Sequence, residues 1–380
     1  MSVPEVGTTV HGRRMEPQFS DFHRRTATAT LNGKGIPVRC ARVWSQVTWY
    51  VNDERGIRVA LVVTAWLLTG GDAGGQALSD LDNTPFATIY GLPDSSDGAF
   101  LLKDGEAAWG ASFLIASHSV ADASPGELLI IDGETARAAI KYRRGLGSRW
   151  EMGIELPYVS HQSGGLDSVI DEWHSAFGLP DGARDDRPRD LIEFRYLDLN
   201  GPVVDFRRNA HGVGDLRLLG AYEIWQTSQS RMALRFGVKL PTGDSDDWLG
   251  SGATDVSIGV VGDHQALWQS ERWSGFYRAY ATFLGEPDQL ADRYEEWVWQ
   301  LSGGLTYRLS DRVALDVQGL LRSALYDVEV AAIGEPAVLL TFGARVQLSD
   351  RWELVLGVGE DVKVESVPDV TFQLGLRLNR

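Results

Sequence analysis

From Trp297 to Leu309 the chain alternates without interruption, with Trp297, Trp299, Leu301, Gly303, Leu305, Tyr307 and Leu309 set against Val298, Gln300, Ser302, Gly304, Thr306 and Arg308. Side chains of a strand point alternately to its two faces, so one face is apolar with aromatics near both ends and the other is small, polar or charged. Thirteen residues is long for a strand in a soluble sheet, and aromatics at the tips of an apolar face mark the two membrane interfaces of a transmembrane barrel. A transmembrane antiparallel up-and-down β-barrel is therefore the leading fold, placing the class as all-β.

Alternation and turn residues predict twelve strands, near 108–119, 127–144, 149–161, 213–226, 230–241, 253–262, 272–285, 296–309, 312–325, 336–348, 351–362 and 368–379. The links alternate in length. Those at 145–148, 227–229, 310–311 and 349–350 are short; those at 162–212, 242–252, 286–295 and 326–335 are long, and only 263–271 breaks the pattern. Outer-membrane barrels have an even strand number, short periplasmic turns and longer outer loops. Within the long link 162–212, Leu166 to Phe177 has helical spacing and 190–207 reads as a hairpin turning at Asn200-Gly201.

No apolar run is long enough to cross a bilayer as a helix. The longest, Val59 to Leu68, follows Arg55 and Arg58 and precedes the small residues Gly75 and Ala77, which is the layout of an export signal. Its position predicts a signal peptide at 51–77, a non-native extension at 1–50 caused by a misassigned start, and a barrel at 78–380. Residues 1–77 hold nine of the 36 basic and six of the 52 acidic residues, so without them the formal charge is −19 instead of −16. That balance argues against nucleic acid as a partner. Cys40, the only cysteine, lies in the same stretch, which leaves the barrel without thiolate chemistry or disulfides.

A charge facing lipid at the bilayer midplane costs about 2–4 kcal/mol, so the charged row of each strand faces the lumen. In 230–241, Met232, Leu234, Phe236, Val238 and Leu240 oppose Arg231, Arg235 and Lys239. Over all strands the expected lumen lining includes Arg137, Lys141, Glu151, Glu155, Arg217, Glu223, Arg235, Lys239, Asp255, Arg278, Arg308, Asp316, Arg322, Arg345 and Arg377. Both signs are present, and they either pair across the lumen or line a narrow wet path. Two weaker sites are considered. Ser160 and His161, with acids 167–171 and His174 beyond, are the residue types of an acyl-hydrolysing triad, but no nucleophile-elbow glycines surround the serine. Asp244, Asp246 and Asp247 offer hard oxygen ligands for calcium, without EF-hand spacing. A solvated acidic turn is the simpler reading, and no cofactor is expected.

Several segments resemble the bacterial family catalogued as domain of unknown function 3187: Ile89-Tyr-Gly-Leu-Pro93, Glu155-Leu-Pro-Tyr-Val-Ser-His161, Trp173-His-Ser-Ala-Phe-Gly-Leu-Pro180, Gly214-Asp-Leu-Arg217, Leu240-Pro-Thr-Gly-Asp-Ser-Asp246, Gly250-Ser-Gly-Ala-Thr-Asp255 and Pro368-Asp-Val-Thr-Phe372. The resemblance runs from about residue 80 to the end and implies an exported outer-membrane protein. The Leu-Pro-Thr-Gly-Asp and Gly-Ser-Gly-Ala-Thr-Asp pair is also similar to outer-membrane proteins of meta-pathway phenol degradation, regarded as hydrophobic-compound transporters. A departure is the C-terminus, Leu376 to Arg380, which lacks the terminal aromatic that barrel-assembly machinery reads in many outer-membrane barrels. The expectations are a passive channel or transporter for a small molecule, a lipid or lipopolysaccharide hydrolase, or a closed structural barrel. Its partners would be outer-membrane lipid, lipopolysaccharide and the assembly machinery.

Overall fold

The structure is a computed structural model that describes residues 48–50, 60–62, 77–165, 191–361 and 370–379. By itself, the short ribbon β1 (Thr48–Tyr50) pairs antiparallel with β2 (Ala60–Val62). The rest of the expected export signal, and the helical stretch expected at Leu166 to Phe177, lie outside the described residues.

Twelve antiparallel strands close into a barrel. They are β3 (Ala107–Ser124), β4 (Glu127–Leu146), β5 (Trp150–Gln162), β9 (Leu216–Gln226), β10 (Ser230–Leu240), β11 (Asp255–His264), β12 (Trp273–Phe283), β13 (Trp297–Arg308), β14 (Val313–Arg322), β15 (Ala337–Gln347), β16 (Trp352–Asp361) and β17 (Val370–Asn379). The last strand returns to the first along Val370 opposite Ser117 through Asn379 opposite Ala108, which removes every edge of the wall. Each predicted strand is found within a few residues of its expected bounds, except that the first runs on to Ser124. β3 and β4 meet at a two-residue turn, 125–126, instead of the expected link from 120. Their upper ends leave the wall and form a second sheet, in which β6 (Glu193–Asp198) pairs with Leu128 to Asp132 of β4 and with β7 (Gly201–Phe206). The expected hairpin is thus present, with its turn one residue earlier, at 199–200.

Gly133 makes the switch possible. Its φ is +124°, and a Cβ there would stand 2.9 Å from the Gln162 carbonyl. Below it β4 pairs with β5, and above it with β6. β8 (Ala210–Val213) covers the upper part of β5, while β9 covers the lower part.

The short links 147–149, 227–229, 309–312 and 348–351 lie at one end of the barrel. The link 265–272 belongs to that end too, folded tightly through left-handed Ala266, Trp268 and Gln269. The wall inverts the soluble rule: Trp297 is 62% exposed while Arg278 and Arg345 are 1% exposed. Neighbouring strands set Trp109 against Tyr142, Trp150 against Tyr222 and Trp273 against Tyr307 in tilted pairs near the short-turn end, with Phe283 against Trp297 near the other. Ten residue steps separate Trp297 from Tyr307. At about 3.3 Å each and a tilt of about 40°, the band between these aromatics is about 25 Å tall, the height of an outer-membrane apolar belt.

Residues 77–106, which carry no strand pattern, occupy the lumen. The segment starts at the short-turn end, where the Ala77 carbonyl accepts a hydrogen bond from Arg377, and climbs past β14 and β17. It turns over in the single-turn helix α1 (Pro85–Thr88) and descends past β9, β10 and β11 to leave beside Gly145. Above α1, at the long-loop end, an apolar cap contains Phe86, Phe194, Tyr196, Phe206, Trp248 and Tyr326, with Ala332 and Ile333 from α2 (Ala331–Gly334). Phe194 stacks on Phe206 at 5.4 Å, and Trp248 meets Phe86 edge-on at 4.8 Å.

Candidate functional site: the occupied lumen

The motif segments converge on one buried ammonium. Lys239, on the inward row of β10, lies 2.9 Å from Asp215 and 3.1 Å from Asp255, donates to the Ile89 carbonyl at 2.9 Å, and contacts the Ser251 hydroxyl. Asp215 also accepts the backbone N–H groups of Thr242, Gly243 and Ser251, which folds the Pro-Thr-Gly-Asp loop back on the wall. Asp255 accepts those of Gly91 and Gly285. A buried charge is tolerated only with such complete pairing. Gly91 belongs here because a Cβ would stand 2.8 Å from the Lys239 Cβ. Ile-Tyr-Gly-Leu-Pro, Gly-Asp-Leu-Arg, Leu-Pro-Thr-Gly-Asp and Gly-Ser-Gly-Ala-Thr-Asp therefore build a clamp that holds the top of the inner segment to β10 and β11.

Below the clamp the wall grips the segment largely through its carbonyls and carboxylates. Arg217 donates to the Tyr90 and Leu92 carbonyls, and Arg235 to that of Gly98. Lys141 lies 2.9 Å from Asp97 and 3.1 Å from Glu155, which also binds Arg137 at 2.5 Å. Glu151 binds Arg143 and Arg235 and accepts the Leu102 N–H. On the ascending limb Arg322 holds Asp82 at 2.7 Å. The side-chain amides of Gln318 and Gln373 bond both N–H and carbonyl of Leu78 and Ser79, as a strand neighbour would. Asp80 and Ser95 join the two limbs, and Ser95 also touches Ser302 of β13. Burial, reinforced by the nearby Asp94 charge, pushes the Asp80 carboxyl up to about 7.

The remaining expected lining residues pair within the wall: Arg278 with Asp263, Arg345 with Asp316 and Thr306, Arg377 with Glu353, and Glu223 with Arg231. Arg308 makes no ion pair among the described residues and borders a cavity of about 290 Å³ at the short-turn mouth, with Thr306, Arg272 and Glu271. Two further cavities flank the descending limb. One of about 70 Å³ lies against β3 and β17, where the wall offers Gly110, Ser112 and Gly375 beside Leu114, Gln373 and Arg377. The other, of about 40 Å³, lies against β9 and β10. Asp94, Asp97 and Lys141 border both.

The residues of the two weaker candidate sites have other partners in the structure. As consecutive strand residues, Ser160 and His161 point to opposite faces. His161 is buried between the Thr135 hydroxyl and the Trp248 carbonyl, while Ser160 accepts from the Gln162 amide. His118 completes the inner chain by bonding the same Thr135 hydroxyl. His174 and the acids 167–171 lie outside the described residues. Of the three aspartates, Asp247 is neutralised by Arg208 at 2.6 Å and Asp244 accepts the Asp246 N–H. Among the described residues no group of three or more His, Cys, Asp or Glu is arranged to hold a metal ion.

The reading from strand periodicity missed the inner segment, and with it Asp82, Asp94, Asp97, Gln318 and Gln373. The available signal was charge: residues 77–102 contain four aspartates and no Lys or Arg.

A model of the family described as protein of unknown function (DUF3187) matches residues 55–379. The chain belongs to that family. No curated protein matches it in sequence. Among solved structures it is similar to an outer membrane channel from Pseudomonas putida F1, at 14% identity over 74% of this chain and 97% of that one, with a TM-score of 0.49. It is also similar to the NanC porin, at 10% identity over 72% and 98%, with a TM-score of 0.42. A third is the Pseudomonas putida toluene transporter TodX, at 11% identity over 82% and 95%, with a TM-score of 0.33. At these scores none of the three says what the present barrel carries.

Proposed function

We propose that this protein is an outer-membrane channel for a small molecule, held shut in the described conformation by its own residues 77–106. The observation that carries the reading is the way the lumen is filled. A barrel built only to be structural can fill its interior with bulky wall side chains. Here the wall beside the descending limb places Gly110, Ser112 and Gly375 among Lys141, Arg143 and Arg377, and the space between is taken by a segment tethered at one end to β3. An apolar belt about 25 Å tall, bounded by aromatics, supports the membrane assignment. Among the described residues no helix is long and apolar enough to cross a bilayer, which leaves the strands to do so.

An export signal ending near residue 77 fits this arrangement. Cleavage there places the new terminus beside Arg377 at the short-turn mouth, the periplasmic side of an outer-membrane barrel. The long-loop end then faces lipopolysaccharide, and the barrel-assembly machinery inserts the wall.

Planar-bilayer recording of the full chain and of a variant lacking residues 77–101 tests the proposal, with folding of both checked by heat-modifiable electrophoretic mobility. Brief openings of the full chain and a larger steady conductance of the shortened one are expected. Folded barrels of both forms that pass no current would overturn it.

A further inference from the structure

The charges around the two cavities are unequal on the wall and on the segment. Among the wall cations that border them, Lys239 and Arg377 are answered by the wall carboxylates Asp215, Asp255 and Glu353, whereas Lys141, Arg143, Arg217 and Arg235 have between them only Glu151 and Glu155 of the wall. The opposing carboxylates are Asp94 and Asp97, and both belong to the inner segment. Higher up, Arg322 of the wall is likewise paired with Asp82 of the segment at 2.7 Å.

We infer that the inner segment occupies an anion site, with Asp94 and Asp97 standing where the carboxylates of a small organic anion bind, and that such an anion is what the open barrel passes. The inference rests on the channel reading and names its substrate class.

Three physical points carry it. Uncompensated cations in a narrow, low-dielectric lumen are costly, so the wall's excess requires a negative partner, and the segment supplies it only while docked. Rings of Arg and Lys select anions in pores, because the ion's lost hydration is replaced by fixed positive charge. The spaces on the two sides of the aspartates are small, about 70 Å³ and about 40 Å³, so an anion reaches Lys141 only as the segment moves aside. Arg308 at the short-turn mouth gives the route a positive threshold. The lumen's chemistry thus differs from what the similarity to hydrophobic-compound transporters implies.

The test is the reversal potential of single channels in a potassium chloride gradient, with citrate then added as the probe anion. The full chain and the D94N/D97N variant are compared, each first checked for heat-modifiable mobility. Currents are expected to prefer chloride over potassium several-fold. The double variant should open more often, and citrate should reduce its chloride current at lower concentration than in the full chain. K141M should shift the reversal potential towards potassium, which keeps the test decisive if the double variant does not fold. Channels that conduct but prefer potassium, or that ignore citrate in every variant, would overturn the anion site and leave the channel standing. Absence of current from all variants, including the one without 77–101, would overturn the channel and this inference with it.

Discussion

Asp82→Ala is the sharpest perturbation of the closed state. In the docked segment Asp82 pairs with Arg322 at 2.7 Å, the two side chains being 2% and 4% exposed. Removing one partner of a buried ion pair costs about 3–5 kcal/mol, because the other charge is left without compensation. When the segment is undocked, water reaches Arg322 and the penalty disappears, so the docked state carries it almost alone. At 1.4 kcal/mol per factor of ten, the closed-to-open ratio should fall roughly 10²- to 10⁴-fold. Open probability in planar bilayers reads the shift. Arg322→Met in the same chain removes the stranded charge, so the D82A/R322M double variant should recover most of the closure. If D82A stays as closed as the parent, or if the double variant opens as readily as D82A, the ion pair does not hold the segment.

Three further outcomes are expected. Arg345→Met leaves Asp316 buried without its cation and should lower the barrel's unfolding free energy by about 3–5 kcal/mol, measured by urea titration in detergent; an unchanged midpoint contradicts the wall network. Leu301, on the outward row of β13, should tolerate Ala but lose about 2–4 kcal/mol as Arg, seen as poorer folding into lipid vesicles; equal yields would place that row away from lipid. The Asp80 carboxyl is raised to about 7 when docked, so its contribution to docking is complete below the ordinary carboxylate range and is lost as pH rises through about 7. Openings should therefore become more frequent from about pH 4 to about pH 7 and level off above it, and D80N should flatten the profile; a parent profile already flat would refute the assignment.

The wall was legible in the sequence because its physics is local. A strand between lipid and a wet interior sorts its side chains every two residues, and Met232 to Leu240 against Arg231, Arg235 and Lys239 records the sorting directly. The same rule separates Ser160 from His161, since neighbours on a strand cannot share a face. The inner segment was not legible, because its partners are distant and mostly reach its backbone: Arg217 to the Tyr90 carbonyl, Gln318 to Leu78, Lys239 to Ile89. Such contacts impose no period. The upper end of β3 was missed for a related reason, as Val120 packs into the cap rather than following the lipid-to-lumen alternation. The motif residues were visible as a cluster of Gly, Asp and Thr, but their purpose as a clamp appears only once Lys239 and Gly91 are seen together.

One disulfide decides whether the inner segment is the gate. The Ser95 and Ser302 hydroxyls are in hydrogen-bond contact between segment and wall, so cysteines at both positions, with Cys40 replaced by serine, stand close enough to bridge. Single-channel current is recorded from the oxidised S95C/S302C protein before and after reduction. Silence when oxidised and openings on reduction are expected; identical currents in the two states, with the crosslink shown to have formed, would contradict a lumen closed by residues 77–106.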